Sequence, residues 1–444
     1  MADNKAGILR ALNPADSFTL AMDEEIRKEG MPGSLCGFAL ELAQTPDIQA
    51  LTNNIEAFLE DFPTARASLQ QRGKRFYWCQ RTKQRQVFFR HPCPSEKNQD
   101  VFHNETIENL FSHIETREEQ APIEFHLLTG SKKNTFLLRW MHPFCDARGA
   151  ELILQYLTTD NPEQRKLYTT QTGKPLVNQH LDKYKWWQKI ALLLKGKRHI
   201  ESIDQWQSII PITVKQSQQP PEKLRYSKHR LTEQQTQQIN KIARKKVGIT
   251  GTSLYYLGCM MRALDKINPD YPGEAYCVPY AFNLRKNKAI TPVLGNHVCA
   301  LFAQATKQQA QDRDQLFQHL KQQNTQVIRK KLDYAFLPLM WAGSWLSLEK
   351  YGKTLRLSYK TGTERSSFWF SDIGQPDLSE LTFFNTKIQG LFHLCQLSTP
   401  PALALLSCQF QGKLSLTYNY IEPQISEQWL DQLHEHMLEE LLTE

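Results

Sequence analysis

The sequence predicts an α/β fold made of two related subdomains, and three observations carry that expectation. The chain has 444 residues, room for two or three domains at about 150 residues each. A polar stretch from 158 to about 220 interrupts it near the middle, with Pro162, the run Gln216-Ser-Gln-Gln219 and the pair Pro220-Pro221. On either side the patterns run in a similar order, helices and strands that end in antiparallel-looking hairpins. The expected division is therefore 1–170 and 223–444, with 171–222 as crossover and linker.

In the first half, residues 15–30 read as a helix that Asp16 or Ser17 caps and Gly30 ends, followed by a strand at 35–42. Apolar residues at 48, 51, 55, 58 and 59 recur at helical spacing and lead into Phe62-Pro-Thr-Ala-Arg66. Residues 76–79 and 86–89 read as extended. The runs 123–128 and 135–141 resemble two strands joined by the turn-forming Gly130-Ser131, with a helix at 150–157 directly behind them. Within the linker, the apolar-basic stretch 183–195 is helical.

The second half opens with a polar helix at 232–247, then Gly248-Ile-Thr-Gly251 and an apolar helix at 253–267. Strands at 276–282 and 297–303 and a Gln-rich amphipathic helix at 307–331 follow. The charge-free run 334–348 is broken by Pro338 and Gly343 and falls short of the ~18 apolar residues of a membrane span, so it reads as buried core or a pocket wall. Strands at 367–370, 403–410 and 413–420 precede a final helix at 426–442. No repeat with a period of roughly 20–50 residues is visible.

The composition is that of an ordinary globular protein: 40% apolar and 23% charged, with a mean hydropathy of -0.53. Fifty-four basic and 46 acidic residues leave a formal charge of +8. That excess suits the phosphates of coenzyme A, an acidic carrier protein or an anionic membrane surface, and does not demand nucleic acid. The nine cysteines include no C-x-x-C pair and read as reduced thiols. The opening ten residues have no apolar core of a secretory signal, so a cytoplasmic location is expected.

The chemistry concentrates in His142-Pro-Phe-Cys-Asp146-Ala-Arg-Gly149, on the turn between an apolar strand and an apolar helix. A histidine titrates near neutrality and can take a proton as general base, provided the imidazole is held rigidly. Asp146, four positions on, is suited to organising the turn, particularly if a buried arginine pairs with it. Gly149 would let the following helix approach closely. Cys145 lies three positions from His142 and so points away from it in an extended stretch, which makes it a core thiol. His297 and His393, each on an apolar strand, read as core or hydrogen-bonded residues.

This segment resembles the H-x-x-x-D signature of the condensation-domain and chloramphenicol-acetyltransferase-like acyltransferases, a superfamily that includes wax-ester-synthase relatives and the BAHD enzymes. Met141 stands where a second His often precedes the motif, and Ala147 follows Asp146 where Gly is usual. Further stretches match in the expected order: Pro14-Ala-Asp16, Phe62-Pro-Thr-Ala-Arg66, Lys246-Val-Gly-Ile-Thr250, Phe282-Asn-Leu-Arg285, Leu294-Gly-Asn-His297 and Phe370-Ser-Asp-Ile-Gly374. Asp372 occupies a position where the family usually carries Asn. The resemblance spans residues 14 to 420.

The resemblance implies two subdomains with mixed sheets flanked by helices and an active-site tunnel at their interface. It makes His142 the general base, pairs Asp146 with Arg285 across that interface, and gives Gly149 a structural place in the motif. Asn283, Asn296, Ser371 and Asp372 are its candidates for lining the substrate tunnel. It implies an acyl group moved from a coenzyme A or carrier-protein thioester to a hydroxyl or amine, with no metal and no permanently bound cofactor. Two alternatives go with it: a peptide-synthetase-type condensation enzyme acting in trans on carrier-bound substrates, and an inactive relative that only binds. The 183–198 region, with Trp186 and Trp187, is the candidate for peripheral membrane, carrier or coenzyme A contact.

Overall fold

The computed structural model describes residues 7–159, 161–169, 175–212, 222–248, 251–286, 289–356, 364–378 and 382–444. The glutamine run and proline pair at 216–221 and residues 249–250 of the expected turn lie outside these. The first half runs β1 (Ile8–Ala11), α1 (Pro14–Lys28), β2 (Leu35–Leu42), α2 (Ile48–Asp61), β3 (Ser68–Arg72), β4 (Arg75–Cys79), β5 (Phe88–Pro92), α3 (Gln99–Ser112), β6 (Ile123–Thr129), β7 (Asn134–Met141) and α4 (Ala147–Leu157). Between the halves lie α5 (Pro162–Thr169), α6 (Leu176–Asp182) and α7 (Trp186–Ile203). The second half runs β8 (Lys223–Arg230), α8 (Glu233–Val247), α9 (Thr252–Ile267), β9 (Ala275–Asn283), β10 (Val298–Thr306), α10 (Lys307–Gln311), α11 (Arg313–Arg329), α12 (Leu332–Gly343) and α13 (Leu348–Leu355). It ends with β11 (Trp369–Asp372), β12 (Thr382–Phe383), β13 (Thr386–Cys395), β14 (Leu403–Phe410), β15 (Lys413–Glu422) and α14 (Glu427–Leu442).

Helix ends follow local capping chemistry. Helix α1 is capped by Asn13, whose side chain accepts from the amides of Ala15 and Asp16 while Asp16 returns a bond to the Asn13 amide. The expected caps Asp16 and Ser17 are thus inside the helix, because Asn13 followed by Pro14 starts it a turn earlier. Gly30 follows the helix at φ +79°, the left-handed region that glycine enters without strain. The expected single helix at 307–331 is two, α10 and α11, since Asp312 leaves helical geometry to cap α11 through the Gln315 amide.

The main sheet has the order β12-β13-β2-β7-β6-β5, and a four-stranded sheet has the order β11-β14-β15-β8. Strands β12 and β13 belong to the C-terminal stretch of the chain yet complete the sheet of the N-terminal half, so the two segments interlock. The linker region is also more than a connection: α7 packs along α12 closely enough that Gly196 has the Ala335 carbonyl where a Cβ would be. Strand β2 is central and almost wholly buried, which explains its near-continuous apolar sequence.

The faces of the main sheet differ. Phe111 of α3 packs under Gly37, and Arg139 binds the Leu110 carbonyl and Glu124 on that side. On the other, strand alternation brings Cys36, Phe38, Trp140, His393 and Cys395 to a common surface, and His142 continues the row just past β7. That surface is the floor of the cavity described below.

Candidate active site

The turn carrying His142 is fixed from both sides of the molecule. The His142 amide donates to the Ser34 carbonyl at 2.8 Å, and its own carbonyl accepts from Nδ2 of Asn296 at 2.8 Å. Arg10 donates to the carbonyls of Pro143 and Phe144, each at 3.2 Å. The Gly295 amide donates to the Phe144 carbonyl at 2.8 Å, which makes a one-residue parallel bridge between the halves. Gly295 sits at φ +91°, where a side chain would be strained.

Asp146 has all its acceptor capacity engaged elsewhere. Nη1 of Arg285 reaches its two oxygens at 2.9 and 2.7 Å, the Gly149 amide caps onto Oδ1 at 2.8 Å, and the His297 amide donates to Oδ2 at 2.7 Å. Burial works against this carboxylate, but Arg285 and the His297 amide outweigh it and hold it below its ordinary value of 3.8. It is a charged tie between the halves and the N-cap of α4. A Cβ on Gly149 would run into the Val293 carbonyl. The close approach that this glycine permits is thus to the opposite half, rather than to the preceding strand.

His142 is half-buried and lines a cavity of about 570 Å³. Nδ1 is buried without a regular hydrogen bond, so the part of the ring facing the cavity carries Nε2. Burial lowers its pKa from 6.5, against opposing contributions from its own backbone, Asp146 and the Asn296 side chain. The imidazole is therefore neutral at pH 7, the form that accepts a proton. Cys145 is fully buried and burial pushes its thiol well above its ordinary range, which leaves it a core group.

The cavity runs between the halves. Phe18, Phe38 and Trp140 line it from the first, Leu193 and Ile200 from α7, and Tyr280, Phe336 and Trp369 from the second. The run 334–348, expected as core or pocket wall, supplies Phe336, Leu339 and Met340 to that lining. The outer side of the same roof is unusual, since Trp186 is 70% exposed, Trp187 51% and Trp345 57%.

Of the four candidates for a tunnel lining, Ser371 lines the cavity and the other three do not. Asn283 is exposed and its Oδ1 accepts from the Arg285 amide at 3.0 Å, a turn-forming role at the strand end. Asn296 is fully buried, and its Nδ2 donates to the His142 carbonyl and to Asp16 while Oδ1 has no partner. Asp372 accepts from Ser253 Oγ at 2.6 Å and the Gly374 amide at 3.0 Å, and burial raises its pKa against these bonds. It acts as a turn acceptor, for which a carboxylate serves as well as an amide oxygen.

Sequence reasoning missed Arg10 and Asn13, which join the Asp16 and Asn296 network: Arg10 lies 3.7 Å from Asp16, and Asn13 Nδ2 donates to the Asn296 carbonyl at 3.1 Å. The spacing Asn13-Pro-Ala-Asp16 is a capping-box signal and would have found the cap. It also missed the polar residues of the cavity, Arg365, Gln396 and Ser398, for which no local pattern exists. Of the two expectations for His393, core or hydrogen-bonded, it is a buried residue at the cavity wall whose ring nitrogens have no partner. Among the described residues, no cluster of His, Cys, Asp and Glu could hold a metal ion, and no helix is long and apolar enough to cross a membrane.

No family model matches the sequence, and no curated protein matches it. Solved structures do match over nearly the whole chain. The first condensation domain of the CDA synthetase superposes with a TM-score of 0.71 at 10% identity, covering 98% of this chain and 96% of that one. The trichothecene 15-O-acetyltransferase from Fusarium sporotrichioides gives 0.68 at 13% identity, covering 97% and 95%. The starter condensation domain of rhizomide synthetase, solved with C8-CoA, gives 0.67 at 10% identity, covering 98% and 95%. The fold is that of condensation domains and chloramphenicol-acetyltransferase-like enzymes, as the resemblance implied.

Proposed function

We propose that the chain is an acyltransferase in which His142 is the general base. The observation that carries this reading is a histidine whose backbone is tied from both halves and whose neutral ring lines an apolar cavity between them, with Asp146 committed to Arg285. A hydroxyl or amine acceptor beside Nε2 loses its proton to the ring as its oxygen or nitrogen attacks the thioester carbonyl. The new ester or amide bond forms, the carbon–sulfur bond breaks, and the thiolate leaves with the proton from the imidazolium. The thioester is a substrate, coenzyme A or a carrier arm, and the neighbour holding C8-CoA supports that class of donor.

Incubated with a panel of acyl-coenzyme A thioesters and simple alcohols or amines, the protein is expected to release free thiol. His142→Ala should cut that rate by about 10²–10⁴-fold, the typical share of a general base. No thiol release above the His142→Ala control would sink the catalytic reading and leave a binding protein. A second reading, condensation in trans with both substrates on carriers, is supported by the likeness in fold to a condensation domain of a synthetase. It requires that acylated carriers bind and turn over where coenzyme A esters do not.

The surface over the cavity suits a peripheral membrane contact. From 183 to 200 the chain has six basic residues and no acidic one, and Trp186, Trp187, Ile190 and Leu194 are exposed among them. Sedimentation with phosphatidylcholine vesicles is expected to retain the protein only when phosphatidylglycerol is included. Equal recovery with both vesicle types, or binding undiminished in a Trp186→Ser/Trp187→Ser variant, would rule the contact out.

A further inference from the structure

Strands β2 and β13 come from opposite ends of the chain, and one rung of their ladder holds a cysteine on each side: Cys36 stands directly opposite Cys395. The surrounding hydrogen bonds fix what kind of rung it is. The Gln396 amide donates to the Leu35 carbonyl at 2.7 Å, so Gln396 and Leu35 form a hydrogen-bonded pair. Antiparallel rungs alternate, which makes Cys395 and Cys36 the non-hydrogen-bonded pair beside it. In keeping with this, the Cys395 amide turns away from β2 and donates to Asn419 Oδ1 at 3.1 Å. Residues opposite each other on such a rung have Cα atoms about 4.5 Å apart and Cβ atoms about 4.5–5.5 Å apart. The next non-hydrogen-bonded rung on the same face, Phe38 and His393, shows the close approach directly, with ring centroids 5.8 Å apart.

Those separations match what a disulfide spans, roughly 4.4–6.8 Å between Cα atoms and about 3.5–4.5 Å between Cβ atoms. The pair is also open to small molecules. Along β2 every residue except Cys36 and Glu41 is buried, and on β13 the partly exposed Cys395 follows a buried run from Gly390 to Leu394. Both cysteines line the cavity. Cys36 lies opposite Trp140 on β7, and His142 is two residues further along that face, so the rung sits on the cavity floor roughly 7–8 Å from the candidate base.

We propose that Cys36 and Cys395 are a redox pair, which a small organic disulfide converts into a cross-strand disulfide that locks β13 onto β2. One cysteine sulfur attacks the reagent, forming a mixed disulfide and releasing one small thiol. The second cysteine sulfur then attacks the mixed disulfide, the protein sulfur–sulfur bond forms, and a second small thiol leaves. The two protein thiols are oxidised, the reagent is reduced, and each proton ends on a departing thiol. Burial pushes the Cys36 thiol well above its ordinary range, with the adjacent Cys395 adding to the effect, and pushes Cys395 up to about 12. Both rest as thiols at pH 7, and the exchange is slow there and faster as pH rises. In the reduced chain the inserted strand is held by ladder bonds and packing, and in the oxidised chain by a covalent bond as well. The pair requires nothing from the acyl-transfer reading.

The test is oxidation of the folded full chain with 2,2′-dithiodipyridine at about pH 8.5, followed by digestion without reductant and mass spectrometry. The expected product joins the peptides that contain Cys36 and Cys395, and neither carries a pyridylthio group. Cys93, the other partly exposed cysteine, is the control for simple adduct formation. The oxidised chain should also melt a few degrees above the reduced one, because the link closes a loop of about 360 residues. Cys395→Ser should abolish both the linked peptide and the rise in melting temperature. Separate adducts on Cys36 and Cys395, recovery of both as free thiols, or a link from either to another cysteine would overturn the proposal. Should Cys395→Ser fail to fold, the peptide map of the unmodified chain decides alone. No acyl transfer is measured, so a chain that forms the link yet releases no thiol from thioesters would lose the catalytic reading and keep the redox pair.

Discussion

Asp146 and His393 are both buried polar side chains in the wall between the halves, and their surroundings are opposite. Asp146 receives bonds from Arg285 and from the amides of Gly149 and His297, whereas His393 receives none. The first pattern belongs to a group that holds the protein together, and the second to a ring that burial keeps neutral and that ties nothing to its surroundings by a hydrogen bond. A buried charge that is fully met is costly to disturb, while a buried neutral group that is never met costs little to remove. The contrast separates a charged tie between the halves from a neutral ring that bonds to neither of them.

The largest effect that can break this comparison is at the ion pair. Asp146→Ala should lower stability by about 3–5 kcal/mol in urea unfolding, because Arg285 would remain buried without its counter-ion. A loss below about 1 kcal/mol would place Asp146 with the dispensable groups. An intermediate effect is expected from acid. His393, at about 3, and His103, His126 and His297, each at about 4, are held neutral by burial against an ordinary 6.5. Below pH 6.5 the unfolded chain takes up protons that the folded chain refuses. Stability should therefore be full above that pH and fall as pH drops from 6.5 towards 3–4, by about 1.4 kcal/mol per pH unit for each proton refused. A flat profile across that window would contradict the neutral burial of these rings. The smallest effect is at His393: His393→Phe should leave stability within about 0.5 kcal/mol or raise it, since it removes two orphaned atoms. A loss comparable with that of Asp146→Ala would show that His393 is architectural.

Legibility in the sequence tracked how local each signal is. Strands β2 and β14 were readable to the residue because alternation and apolar runs are properties of neighbours in the chain. His142 and Asp146 were readable because two residues four positions apart on one turn share a signature, and Arg285 only through the family resemblance of Phe282-Asn-Leu-Arg285. The sequence could not show that β13 inserts beside β2, since nothing in 386–395 encodes a pairing partner some 350 residues away in the chain. Nor could it separate Ser371, which reaches the cavity, from Asn283, which turns to its own backbone. For His393 the sequence left core and hydrogen-bonded open for the same reason, since an apolar strand does not show what stands opposite each side chain.

The insertion of β13 has a practical consequence for anyone who divides the chain. A fragment ending near 170 would leave β2 with an open backbone edge along its Leu35–Leu42 span, in a strand whose side chains are nearly all buried in the whole protein. Such an edge is a template for pairing with any other strand, and the fragment would recruit copies of itself into aggregates. Supplying the missing strand as a separate segment containing 382–395 would be the way to keep that half in solution, much as one staple holds two pages that were never glued.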